Sequence, residues 1–303
     1  PVDAGAKHTL LVTYVEDDSL PPLPEPRKLF ALTEKLAREY LKLNVQFKLV
    51  GREGIGPFFA RCEDRFSHPV TSYPIAAWHL SFADPELARK VEPAIQRVLR
   101  AHDLDLIETT FGPQGASQEI YISQIAQKFV KKNQSIYSER NREGKELRHI
   151  PALTRQTAYA YWDALLFQEK EVDFIITNTV LAAPDLTMPL YVINRGGITS
   201  GFVENNEYRP YRGAGMLALY PFLSDGPFFV AERGNLTPEE KLEAIAFLWL
   251  HELGHLLLRK QENYTLNGSI HRAAIDLNYK AWVESIKKHH KQIKEEVPVV
   301  KYF

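Results

Sequence analysis

Cysteine is almost absent: Cys62 is the only one in 303 residues. One cysteine excludes an intramolecular disulfide, and it excludes any zinc site built from several thiolates. Cys62 stands between Arg61 and Glu63 with no catalytic signature around it, and it reads as a structural or incidental thiol. Long apolar runs are also missing. No stretch of 18 such residues occurs, which excludes a transmembrane helix. Charge of one sign is not in excess either, since 37 Lys and Arg face 38 Asp and Glu. A nucleic-acid binder normally carries a basic surplus or stripe, so that class is set aside. The most charged stretch, 287–296, mixes both signs at helical spacing and reads as a solvated C-terminal helix. The missing disulfides fit cytoplasm and many bacterial exported proteins alike; the chain opens at Pro1 instead of Met, and the expectation leans to a secreted or periplasmic protein after leader removal.

What is present is enough to build a large core. Hydrophobic residues make up 45% of the chain. Residues 9–16 are rich in β-branched and aromatic side chains and predict a strand. Leu29, Leu32, Leu36 and Tyr40 recur at helical spacing within 27–42, and 45–50 alternates with period two up to Gly51. Strand, helix, strand is the opening of a sheet backed by a helix.

Residues 52–84 carry several Gly and Pro and read as irregular. The patterns over 85–101, 117–145 and 154–169 are helical, so 52–170 is expected to be a largely helical insertion. Strands are then expected at 173–179, 189–194, 216–222 and 228–231. The glycine-rich piece 196–201 lacks the Lys-Ser/Thr of a phosphate loop and suits an exposed edge strand that another backbone could approach. The chain divides into 1–235, which holds the sheet and the insertion, and 236–303, which is helical; together they form one compact unit.

The chemistry concentrates near the end. Thr237, Pro238 and Glu240 make a capping box with proline at the first helical position. Leu242, Ile245, Ala246, Trp249, Leu250, Leu253, Leu256 and Leu257 then cover most of the helix circumference, which predicts burial on several sides. Into this apolar helix are set His251, Glu252 and His255. An imidazole is costly to bury without a partner. A spacing of four residues stacks His251 and His255 on one face, within reach of a common Zn2+ ion at about 2.0–2.1 Å. Glu252 stands beside the first of them, placed to take a proton from a water activated at the ion.

The segment His251-Glu252-Leu253-Gly254-His255 resembles the active-site helix of the zincin metallopeptidases. The resemblance covers residues 236–260 closely, and the order of elements before them is similar to the zincin N-terminal subdomain. It implies an α+β, zincin-like fold with a twisted mixed sheet on the active-site helix and a helical C-terminal part. It implies two zinc-binding histidines, a glutamate general base, peptide-bond hydrolysis and a peptide or protein substrate lying along an edge strand, here 189–203. Where metzincins have a glycine and a third histidine after the motif, this chain has Leu258 and Gln261, and no methionine follows His255. In thermolysin-like relatives the third ligand comes from a second helix. Here such a helix is expected from near Ser269 through Ile275, Trp282 and Ile286. His271 is the preferred third ligand, with Asp276, Glu284 and Glu262 as carboxylate alternatives. Tyr264 and Tyr279 are candidates for oxyanion donors, with packing the plainer role. His8, His68, His79, His102, His149, His289 and His290 are read as structural or surface residues. Two rivals stay open: hydrolysis of a non-peptide amide, and a non-catalytic zincin-like binding domain.

Overall fold

The computed structural model describes residues 6–60, 115–128, 149–151, 172–184, 191–195, 197–200, 214–258, 260, 268–272 and 278–293, with isolated helical positions between 92 and 131. Its frame is a five-stranded sheet in the order β2-β1-β4-β8-β7. Strand β1 (Lys7–Glu16) runs parallel to β2 (Asn44–Gly54) and to β4 (Phe174–Thr177), and β4 runs parallel to β8 (Ala214–Ala218). The edge strand β7 (Gly197–Ser200) pairs antiparallel with β8. The mixed sheet is therefore four parallel strands with one reversed edge. A second, three-stranded sheet joins β3 (His149–Pro151), β5 (Val180–Pro184) and β6 (Tyr191–Arg195).

Parallel neighbours need a crossover, and helix α1 (Pro26–Leu36) supplies it between β1 and β2. Its buried residues Leu29, Phe30, Thr33 and Leu36 form one stripe. The helix continues into a π-helical turn, Ala37–Leu41, and ends at Lys42 in the left-handed region with φ 58°. Strand β2 runs on through Gly51 to Gly54, past the expected end at 50, and a short helix α2 (Ile55–Ala60) follows it. Within the expected helical insertion, residues 118–128 are helical and Ile122, Ile125 and Ala126 enter the main core. The strand β3 also lies there, against expectation, while 154–169 falls outside the described residues.

Two expected strands are corrected. The span 216–222 is a strand only to Ala218, and then helix α3 (Tyr220–Leu223) begins. The span 228–231 belongs to helix α4 (Pro227–Arg233). Both helices open with proline in the first turn, where the fixed φ favours a helix start and overrides the strand preference of Phe and Val.

Helix α5 (Pro238–Leu258) is the central element. Its start is built as expected: the Thr237 N–H donates to Glu240 Oε2 at 2.9 Å, and the Glu240 N–H donates to Thr237 Oγ1 at 3.2 Å. Ile245, Ala246, Phe247, Trp249, Leu250 and Leu253 are fully buried. Trp249 packs on Phe47, Phe174 and Phe30 at ring separations of 4.0, 5.5 and 5.6 Å, which locks α5 to the sheet and to α1. Helix α6 (Tyr279–His289) packs on α5 through Tyr279, Val283 and Ile286. Ion pairs of Lys280 with Glu240 and of Lys287 with Glu243 set its register along α5. The C-terminal helix thus starts at Tyr279, capped by the Asn278 side chain, and not near Ser269. Gly268 has φ +82° and Ser269 Oγ accepts from the His271 N–H at 3.0 Å, so the chain there is a turn. That helix also closes at His289, before the end of the expected charged stretch.

Candidate metal centre

Helix α5 puts His251 and His255 one turn apart, with their rings perpendicular at 4.6 Å between centroids. His251 and Glu252 are each 3% exposed, while His255 is half-buried. The two Nε2 atoms face each other at 3.0 Å. What holds them there is backbone. His251 Nδ1 lies 2.8 Å from the carbonyl oxygen of Ile270, and His255 Nδ1 lies 2.5 Å from that of Lys260. A carbonyl can only accept, so each Nδ1 carries the proton and donates it. In the neutral ring Nε2 then has the lone pair, and the two Nε2 atoms share the same gap.

Two nitrogens this close need a positive centre between them, either a shared proton or a metal ion. A tetrahedral ion with Zn–N distances of 2.0–2.1 Å separates its ligand nitrogens by about 3.3 Å. The pair fits such an ion with little adjustment. The Nδ1–carbonyl contacts are the usual second layer of a zinc-binding histidine, fixing tautomer and ring orientation.

The two supports differ in origin. Lys260 folds back on the helix end, its N–H donating to the Gly254 carbonyl at 3.1 Å while its own carbonyl receives His255. Ile270 belongs to a separate turn, 268–272, docked on the helix from farther along the chain. In that turn His271 is buried, with the Cε1–Nδ1 edge of its ring close to Gly254. A Cβ on Gly254 would lie 2.6 Å from His271 Cε1 and 2.7 Å from its Nδ1.

Of the expected third ligands, His271 is buried in this turn against Gly254. Among the described residues no three of His, Cys, Asp and Glu gather as a ligand set. Glu284 is exposed on α6, and Glu262, Asp276 and Tyr264 lie outside the described residues. Tyr279 is buried and stacked on Phe222 at 3.9 Å, and burial holds its phenol well above the usual range. It serves packing. His290 rests on the Tyr40 ring at 4.3 Å, and burial, helped by Lys42, lowers its pKa. His68, His79 and His102 lie outside the described residues, and His149 is in β3.

Sequence reasoning missed the carbonyls of Ile270 and Lys260, because a backbone group has no side-chain signature. It also missed the role of Gly254. A glycine inside a helix costs about 1 kcal/mol against alanine, and that cost was the available sign of a close approach.

No family model matches this chain, and no curated protein does. Among solved structures it is similar to the crystal structure of archaemetzincin from Methanopyrus kandleri, at 13% identity and TM-score 0.37, over 94% of this chain and 96% of that one. Among the described residues, no helix is long and apolar enough to cross a membrane.

Proposed function

We propose that this chain is a zinc-dependent hydrolase of peptide bonds, with His251 and His255 as metal ligands and Glu252 as general base. The observation that carries the reading is the pair of Nε2 atoms opposed at 3.0 Å, each fixed by a carbonyl behind its ring. When bound, a zinc ion supplies Lewis-acid polarisation and brings the pKa of a nearby water toward 7. The protein's own part is to hold both imidazoles oriented, with each Nδ1 against a backbone carbonyl. Glu252 follows His251 by one residue, about 100° around the helix. It would therefore stand beside a bound ion, and its assigned role is to take a proton from the attacking water and pass it to the leaving amine.

The third ligand is proposed among residues 261–284. For His271 to serve, its ring must leave Gly254 and turn toward the pair. The reversed edge strand β7 adjoins α5, and its outer edge ends the sheet. A substrate backbone can extend that edge by strand addition, which favours an extended peptide over a small amide.

The test uses Glu252→Gln. Zinc content equal to the parent with hydrolysis of a peptide library abolished supports the reading. A parent protein that holds zinc yet cleaves no peptide supports a binding domain instead.

A further inference from the structure

The turn 268–272 touches α5 on one side and α6 on the other, and each contact has a distinct job. Toward α5, the Ile270 carbonyl takes the His251 Nδ1 proton and the His271 ring rests on Gly254. Within itself the turn is closed by Arg272 N–H to the Ser269 carbonyl at 3.2 Å and by His271 N–H to Ser269 Oγ. Toward α6 it is pinned at both ends. At one end the Trp282 indole N–H donates to the Arg272 carbonyl at 2.9 Å. At the other, Gly268 sits so close to α6 that an added Cβ would lie 2.9 Å from the Ser285 carbonyl oxygen and 2.7 Å from His289 Cβ, at a φ of +82° that side chains avoid.

We infer that Trp282 and Gly268 are positioning residues for the metal ligand His251, acting through the turn that carries the Ile270 carbonyl. The inference rests on the metal-binding reading above. A rigid turn anchored at two points holds that carbonyl at hydrogen-bond distance from Nδ1, which fixes the tautomer with its lone pair on Nε2. His255 needs no such help, since Lys260 lies five residues away on the same chain turn. Helix α6 thereby bears on one ligand and not on the other. Loosening the turn lets the Nδ1–carbonyl bond open and the other tautomer appear, in which Nε2 carries the proton and cannot bind a metal. Loss of an outer partner of a metal ligand typically costs 10- to 100-fold in affinity. Trp282 is one link further out, so the lower end applies.

The test compares full-length protein with Trp282→Phe, which keeps an aromatic ring but removes the indole donor and part of the ring system, and with Gly268→Ala. Val45→Ala, in β2 at the far edge of the sheet, serves as a variant that loses packing elsewhere. Zinc affinity is measured by competition with a chromophoric chelator. The proton position on His251 is read in the metal-free protein by long-range proton–nitrogen NMR of the imidazoles at one fixed pH. Trp282→Phe is expected to weaken zinc about tenfold and to populate the Nε2-protonated form of His251, leaving His255 unchanged. Gly268→Ala is expected to do the same or more, and Val45→Ala to lower the melting temperature with zinc affinity intact. If zinc binds the parent through His251 and neither affinity nor tautomer moves in Trp282→Phe and Gly268→Ala, the inference is overturned. If the parent takes up no zinc but the His251 tautomer still shifts in both variants, the positioning stands and the metal reading fails.

Discussion

The two ends of helix α5 are held in opposite ways. The first, from Thr237 to Leu250, is specified many times over: a reciprocal cap, proline at the first position, and a fully buried face locked by Trp249 against three aromatic rings. In the second, from His251 to Leu258, the histidine rings meet backbone groups of the chain that follows the helix. One carbonyl fixes His255, one fixes His251, and one glycine makes room for His271. Redundancy at the first end gives stability. Backbone carbonyls at the second give orientation, because each meets its ring at Nδ1. The comparison implies that damage to the first end is felt as stability, and damage to the second as metal affinity or rate.

The largest separation of the two ends should come from Glu252→Gln. A general base contributes about 10²- to 10⁴-fold, so peptide hydrolysis should fall by that factor while zinc content and thermal unfolding stay near the parent's. At the other end, Trp249→Ala removes a fully buried indole and should cost about 3–5 kcal/mol in denaturant unfolding. The surviving folded fraction should bind zinc as tightly as the parent, and a large loss of affinity per folded molecule would erase the distinction between the ends. Gly254→Ala sharpens the comparison from the inside. Helix propensity alone predicts a gain of about 1 kcal/mol. The clash with His271 predicts a cost of about 1–3 kcal/mol for overpacking. We expect the cost to win, and the added change His271→Ala to recover it; a double variant no better than Gly254→Ala would show that the ring is not what the glycine accommodates. The smallest effect belongs to the cap. Thr237→Ala should destabilise by about 1 kcal/mol with the rate per folded molecule unchanged.

The same contrast governs how much was legible in the sequence. Local signals were read well: the β1–α1–β2 opening follows from alternation and helical periodicity, and α5 from its cap and apolar face. The motif put His251 and His255 on one face because spacing alone decides that. Proline-led helices at Pro221 and Pro227 were mistaken for strands, since Phe and Val argue for strand until the fixed φ of proline is weighed. The turn at 268–272 was taken as helix because the pattern of Ile275, Trp282 and Ile286 extends backward without a break in hydrophobicity. The true start is the Asn278 cap, and a polar capping residue carries no hydrophobic signal. The order of the sheet, with β7 reversed at its edge, is a non-local pairing that no local pattern encodes. The third ligand stayed open for the same reason: a ligand set is assembled from distant parts of the chain, and spacing fixes only the two members that share a helix.

The central claim is that two imidazoles, each with Nδ1 against a backbone carbonyl, aim their Nε2 atoms at one ion. It is tested most directly by measuring zinc per chain in dialysed protein alongside His251→Ala and His255→Ala, with each variant checked for native-like circular dichroism. The account predicts one zinc per chain in the parent and almost none in either variant. Parent protein without zinc, or variants that retain it in full, would contradict it.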